Sequence, residues 1–287
     1  MDEVPLPALR INANPAKAHT QGIEIIAESF YVTARREDVR PKRALLLRAG
    51  KSATTWDVWD ITPGESAAAA TALDHPGGKQ SDGRRLWIPV AASKPKSRSV
   101  IRAFPLPGIV AGRQLEPEIE FTVPDHIGAV AVAAERNLVL GANGDTESVY
   151  VWDLQGHLKQ TLTGPALALR GLGVVAGSDG HGGIAIQDWK IIGDRLFGSG
   201  LLREADAKLS AGRSRFILFD NFLEPDFKKS VVTLPVIQGT ELAREAMAVS
   251  DGMAFFLPQD LSVSNRVFRV AMTNLFNREG HDLGRPR

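Results

Sequence analysis

Cysteine is absent from the 287-residue chain, so it has no disulfide framework, no thiolate metal site and no thiol nucleophile. An excess of one charge is missing as well: 34 Lys and Arg stand against 33 Asp and Glu, for a net charge of +1. That balance gives no global electrostatic case for nucleic acid or an anionic membrane. Long apolar runs are also lacking. The longest, near residues 127–134, falls far short of the roughly 20 residues that a spanning helix needs, so no membrane insertion is expected. The opening Met1-Asp-Glu-Val-Pro-Leu-Pro7 has neither the basic nor the apolar region of a signal peptide. Export, to the periplasm or outside, with a signal already removed is the preferred location. The cytoplasm is the alternative, since a chain without cysteine suits either compartment. No Asn-x-Ser/Thr acceptor with a permitted middle residue occurs.

What the chain does have is ordinary hydrophobicity, 44%, which with balanced charge argues for a folded protein. Short runs at 30–33, 44–47, 86–90, 138–140, 149–152, 216–219, 231–234, 254–257 and 267–271 are rich in Val, Ile, Leu, Phe, Trp and Tyr. Gly, Pro, Asp, Asn and Ser bound them, which is the pattern of strands. Only residues 65–73 and 204–211 compete as helices; both are short, neither carries a sustained apolar stripe, and both read as loop decorations. The expected class is all-β.

A recurring unit organises these strands. His19-Thr-Gln-Gly22, His75-Pro-Gly-Gly78, Asp125-His126-Ile-Gly128, Gln187-Asp188-Trp189 and Arg244-Glu245-Ala each lead a small-residue strand, followed by a Gly, Asp or Asn turn and a second strand. Positions 19, 75, 125, 188 and 245 step by 56, 50, 63 and 57 residues and occupy nearly the whole chain. Four antiparallel strands per repeat of this length is the signature of a propeller blade, because one twisted sheet cannot bury both faces alone. The expectation is one five-bladed β-propeller domain over 1–287, with blades at about 19–74, 75–124, 125–185, 186–244 and 245–275. Residues 8–13 are assigned to the outer strand of the last blade, closing the ring. A closed ring hides its edges, so a monomer is expected.

The His-x-x-Gly leaders, the blade length and the Trp-Asp pairs at Trp59-Asp60 and Trp152-Asp153 resemble a family of uncharacterised bacterial five-bladed propellers whose inner strands begin this way. The resemblance spans about residues 9–272 and implies a fold without an activity. A true WD-repeat protein fits less well, because its repeats are shorter and each carries a Gly-His before the Trp-Asp.

Several motifs fail on context. Gly50-Lys51-Ser52 lacks the first glycine of a phosphate-binding loop, which would fall at Leu45. Gly171 to Gly177 has one residue too many for a dinucleotide fingerprint and does not open a helix. Neither a Gly-x-Ser-x-Gly elbow nor a His-Glu-x-x-His pair is present. The basic stretch at 94–98 has no aromatic stack beside it, so a solvated loop is preferred and nucleic acid is not an expected partner.

The leaders remain. Innermost strands line the channel of a propeller, so equivalent positions converge at one end of it. His19, His75, His126, Gln187, Trp189 and Arg244 are the candidate ligand-binding residues; His19, His75 and Glu245 are the candidate metal ligands. Imidazole suits a borderline ion and carboxylate a hard one, so a divalent metal ion is the cofactor such a set would take. Asp125, Asp188 and Glu245, from three successive blades, are the candidate catalytic carboxylates. Inner-strand phase stays open between Asp125 and His126, and between Gln187 and Asp188, since a one-residue shift reverses the face. Trp189 is read either as a stacking platform or as packing, and the polar leaders either as a site or as a plug that bonds neighbouring backbone. The readings carried forward are a propeller binding a small molecule or metal, a hydrolase directed at glycosides or phosphates, and a protein-interaction scaffold.

Overall fold

Period-two alternation gives each strand two apolar faces, and a sheet with two apolar faces needs a neighbour on both sides. A ring of blades provides that. The structure, a computed structural model, describes residues 1–64, 72–94, 96–173, 181–204 and 212–276. It is all-β, with five antiparallel four-stranded blades in a ring. Blade one is Ala18–Ile26, Ser29–Arg36, Arg43–Gly50 and Asp57–Asp60, from channel to rim. Blade two begins at Leu73–Pro76 and continues through Arg85–Ala92 and Ser99–Pro105 to Ile119–Val123. Blade three runs Ile127–Ala133, Leu138–Asn143, Ser148–Trp152 and Leu158–Thr163. Blade four is His181–Ile192, Arg195–Glu204, Ser214–Asp220 and Lys228–Thr233. Blade five joins Ala246–Ser250, Met253–Leu257 and Asn265–Ala271 to an N-terminal strand.

The core is the set of seams between blades. Among the described residues, the buried apolar side chains fall into five clusters, one per seam. In blade three, Ala129, Ala131 and Ala133 face blade four, whereas Ile127, Val130 and Val132 face blade two. In blade one, Leu45, Leu47 and Ala49 pack toward blade five, and Ala44 and Leu46 toward blade two. All five tryptophans lie in these seams: Trp56, Trp59, Trp87, Trp152 and Trp189.

Ring closure occurs as expected but on different residues. Asp2–Leu6, not residues 8–13, pairs antiparallel with Asn265–Ala271, Leu6 opposite Asn265 and Asp2 opposite Arg269. Pro5 and Pro7 conceal the strand in the sequence, but an outermost strand tolerates proline on its unpaired edge. Arg10–Ile11 and Asn14–Pro15 instead form a small hairpin turning on Asn12 and Ala13, both at positive φ (51° and 66°). Of the helix candidates 65–73 and 204–211, residues 65–71 and 205–211 lie outside the described residues, while Leu73 opens one strand and Glu204 ends another; of the glycine stretch 171–177, residues 174–177 lie outside them.

Candidate functional site

Antiparallel blades place two kinds of segment on one face of the ring: the heads of the inner strands and the loops joining second to third strands. Four of the five inner strands carry a β-bulge, near the head at Gln21, Asp74 and Gly128 and midway along His181–Ile192 at Gln187. A bulge adds one residue and re-aims the side chains beside it. These bulges decide the phase that the sequence left open.

At the mouth, imidazoles from three successive blades stand in a row. His19 and His75 have ring centroids 6.3 Å apart, and His75 and His126 are 5.2 Å apart. His19 Nδ1 donates to Asp260 Oδ1 at 2.7 Å, and its Nε2 lies 3.8 Å from Glu245 Oε2. Arg244 pairs with the other Glu245 oxygen at 3.1 Å. Asp260 sits on the loop after Met253–Leu257, which is pinned to blade one: Ala18 and Leu261 exchange backbone hydrogen bonds, and Thr20 Oγ1 donates to Gln259 O. The pinning holds His19 and Asp260 in register.

The other two imidazoles are committed differently. Arg35 Nη1 donates to His75 Nδ1 at 2.9 Å, which leaves His75 Nε2 to donate to Gln21 Oε1 at 3.1 Å. Both His75 nitrogens are therefore occupied. His126 Nδ1 donates to Ala92 O at 2.7 Å, leaving Nε2 as the acceptor nitrogen.

Electrostatics follow from these contacts. The Asp260 hydrogen bond raises the His19 pKa, and the same bond lowers that of Asp260. Burial pushes the Glu245 carboxyl up to about 7, against the opposing pull of His19 and Arg244. Burial, with Arg35 and the other two imidazoles, holds His75 well below its ordinary value and keeps it neutral.

Below the mouth the channel closes. The glycines of the leaders pack inner strands against one another: a Cβ on Gly77 would lie 2.2 Å from Gly128 O, and one on Gly22 would lie 2.8 Å from Gly78 Cα. Gly78 also exchanges backbone hydrogen bonds with blade three, through Gly128 O and Val130 N. Deeper still lies a buried charged cluster. Asp188 Oδ1 accepts from Lys190 Nζ at 2.5 Å, and its Oδ2 accepts from the backbone of Ile23 and Met247 in blades one and five. Glu24 accepts from Ser81 N, and Lys79 donates to Thr33 Oγ1. Burial raises the pKa of Asp188 and Glu24 and lowers that of Lys79 well below its usual value.

This placement divides the sequence candidates. His19, His75, His126, Arg244 and Glu245 meet at the mouth. Asp188 does not: the inner strand begins at His181 rather than at Gln187, so Asp188 stands midway along it, past the bulge, and is fully buried in the plug. Gln187 occupies the bulge, half-buried, with no hydrogen bond to the mouth among the described residues. Trp189 is no platform either; it is 0% exposed, edge-on to Phe222 in the seam of blades three and four. Asp125 faces the seam of blades two and three, where its carboxylate accepts from His126 N, Asn143 Nδ2 and Tyr150 OH. Asp125, Asp188 and Glu245 therefore do not form a catalytic trio. Nor is His75 free to join His19 and Glu245 as a ligand. Asp260 takes that place: His19, Glu245 and Asp260 each offer a ligand atom, all within 4.8 Å of one another. Asp260, Arg35 and Gln21 escape a reading confined to leaders. The signal that would have found Asp260 and Arg35 is strand polarity, which brings the ends of second strands and the loops after them to the same face.

Residues 9–211 match the model of a family described as "Family of unknown function (DUF6454)". No curated protein matches the chain in sequence. Among solved structures the chain is similar to the endosialidase of phage phi92, with TM-score 0.51 and 8% identity over 94% of this chain and 69% of that one. It is also similar to the α-L-arabinofuranosidase Arb93A of Fusarium graminearum in complex with an iminosugar inhibitor, with TM-score 0.50 and 5% identity over 95% and 98%. The Cps50 (Swd1) β-propeller domain of Myceliophteria thermophila aligns with TM-score 0.38 and 16% identity over 64% of this chain; the match spans about half, 48%, of that structure. At these identities the likeness is one of fold.

Proposed function

The chain belongs to the DUF6454 family of unknown function, and on that footing we propose that it is a ligand-binding propeller whose channel mouth takes a divalent cation. The observation that carries this reading is the convergence of His19, Glu245 and Asp260 within 4.8 Å. One imidazole and one carboxylate, with a second carboxylate orienting the imidazole, suit a borderline ion such as zinc or manganese. Asp260 holds the Nδ1 proton of His19 and so turns the Nε2 lone pair toward Glu245, an arrangement that raises ligand basicity and fixes orientation. A 3.8 Å gap between Nε2 and Oε2 can be bridged by an ion making bonds of about 2.0–2.2 Å to each. Neutral His75 adds no repulsion beside the ion. Asp260 and Arg244, with side chains 55% and 58% exposed, leave the solvent side open for a small ligand.

The test is a Co²⁺ titration of chelator-treated protein followed by visible absorption. The wild type should show a saturable ligand-field band. Asp260→Asn should weaken binding by about 10–100-fold, the usual cost of losing an orienting partner, and His19→Ala and Glu245→Gln by more. Equal binding by all four proteins would overturn the reading.

A hydrolase remains as the second reading, because Glu245 near pKa 7 beside His19 has the protonation range of a general acid or base. It requires turnover of a glycoside or phosphate ester that Glu245→Gln abolishes while binding persists.

A further inference from the structure

We propose that the cavity between blades two and three, next to His126, is a separate binding subsite for a neutral, hydroxyl-rich small molecule. The cavity measures about 260 Å³ and opens on the same face as the mouth. It suits a small polyol, being smaller than the roughly 300–1,000 Å³ of drug-sized sites. Ser93, Lys96, Asp125, His126, Asn143, Asp145 and Glu147 contribute to its wall.

Three features of that wall define the ligand. Much of it is already hydrogen-bonded and rigid. Ser93 donates to Asp74 and accepts from Arg35; the Asp125 carboxylate accepts from His126 N, Asn143 Nδ2 and Tyr150 OH; Asn143 accepts from Ser148 N; Asp145 is paired with Arg203. Second, His126 is oriented by the carbonyl of Ala92, which fixes the proton on Nδ1 and leaves Nε2 an acceptor with no partner among the described residues. Third, Gly144 keeps the ring edge open. Its φ is not in the left-handed region, so the backbone does not require glycine there. A Cβ at that position would nevertheless lie 3.3 Å from His126 Cδ2 and 3.8 Å from Nε2.

The polar groups left for a ligand are thus two acceptors, His126 Nε2 and the Glu147 carboxylate, and one donor, the Lys96 ammonium. A hydroxyl serves both kinds, donating to the imidazole and accepting from the lysine. Lys96 and Glu147 offset each other in charge, so these free groups call for no net charge on the ligand. Neither the ion at His19 nor any catalysis is needed for this subsite.

The experiment uses uniformly ¹⁵N-labelled, chelator-treated full-length protein, with the histidine ring nitrogens followed by NMR. In the free protein His126 should show an unprotonated Nε2 and a protonated Nδ1. Titration with myo-inositol should shift His126 Nε2 and the amides of Asn143 and Glu147 saturably, and leave the ring of exposed His157 unmoved. His126→Ala and Gly144→Ala should each weaken that binding about tenfold or more, about 1.4 kcal/mol. Gly144→Ala retains the imidazole and its carbonyl bond, so it reports on access rather than folding. A protonated Nε2 in the free protein, no saturable shift, or undiminished binding by both variants would overturn the proposal. So would preferential binding of 1,4-diaminobutane. Because the protein carries no added ion, a failure here leaves the cation reading standing, and a failed Co²⁺ titration leaves this one standing.

Discussion

His19 carries the site because its two nitrogens face different partners. Nδ1 is spent on Asp260 at 2.7 Å, and Nε2 is directed at Glu245. Glu245 is the less comfortable member, buried and pushed up to about 7 from an ordinary 4.5. An acid whose folded pKa exceeds its unfolded one stabilises the fold fully below the unfolded value and loses that contribution as pH rises through the folded value. The window here runs from about 4.5 to about 7. Glu245→Gln stays neutral throughout. Chelator-treated variant and wild type should therefore unfold alike in urea near pH 4.5, and above pH 7 the variant should be the more stable, by at most about 3 kcal/mol. A divalent cation favours the carboxylate, so adding one should narrow that gap. A gap that does not change with pH would show that Glu245 is ionised across the whole range.

At the scale of the strand, the His-x-x-Gly leader does two jobs separated by three residues. The histidine reaches the mouth, and the glycine allows inner strands to touch. Gly77, beside the leader glycine Gly78, lies against backbone, the carbonyl of Gly128, which has no flexible end to move aside. Gly77→Ala should lower the unfolding free energy by about 1–3 kcal/mol, seen as a lower urea midpoint at unchanged m-value. A stability equal to wild type would mean that the seam of blades two and three yields. The leaders were legible in the sequence because polar heads recur at blade spacing, followed by glycine in the first three blades. Their phase was not, because a bulge leaves no fixed residue signature: Gln187 bulges, and Asp188 turns into the channel beside Lys190 rather than toward the mouth. Asp260 was hidden for another reason, since it belongs to a loop that ring closure carries against blade one.

On the scale of the whole ring, five apolar seams hold five sheets, and the last sheet is completed by chain from the opposite end. Asp2–Leu6 covers the edge of Asn265–Ala271, buries Leu6 and is anchored beyond it by Pro7 O, which accepts from Trp56 Nε1 and Asn265 Nδ2. Blade count was readable from the 50–63-residue steps, whereas the closing strand was masked by Pro5 and Pro7. Deleting residues 1–6 should cost about 3 kcal/mol, the scale of burying one or two aliphatic side chains. It should also expose a strand edge. Sedimentation velocity should then show a monomeric 287-residue chain and a truncated one that associates. A truncated chain as stable and as monomeric as the full one would show that the N-terminal strand is not a closure.

The buried charged cluster of Asp188 and Lys190 lies below the mouth, and the mouth's side chains reach solvent, so what they hold should be visible directly. A crystal grown with Zn²⁺ and measured at the zinc absorption edge gives that view. The expected anomalous peak lies within bonding distance, about 2.0–2.2 Å, of His19 Nε2 and a Glu245 oxygen. An ordered mouth with no peak, or with zinc bound only at other residues, would contradict the assignment.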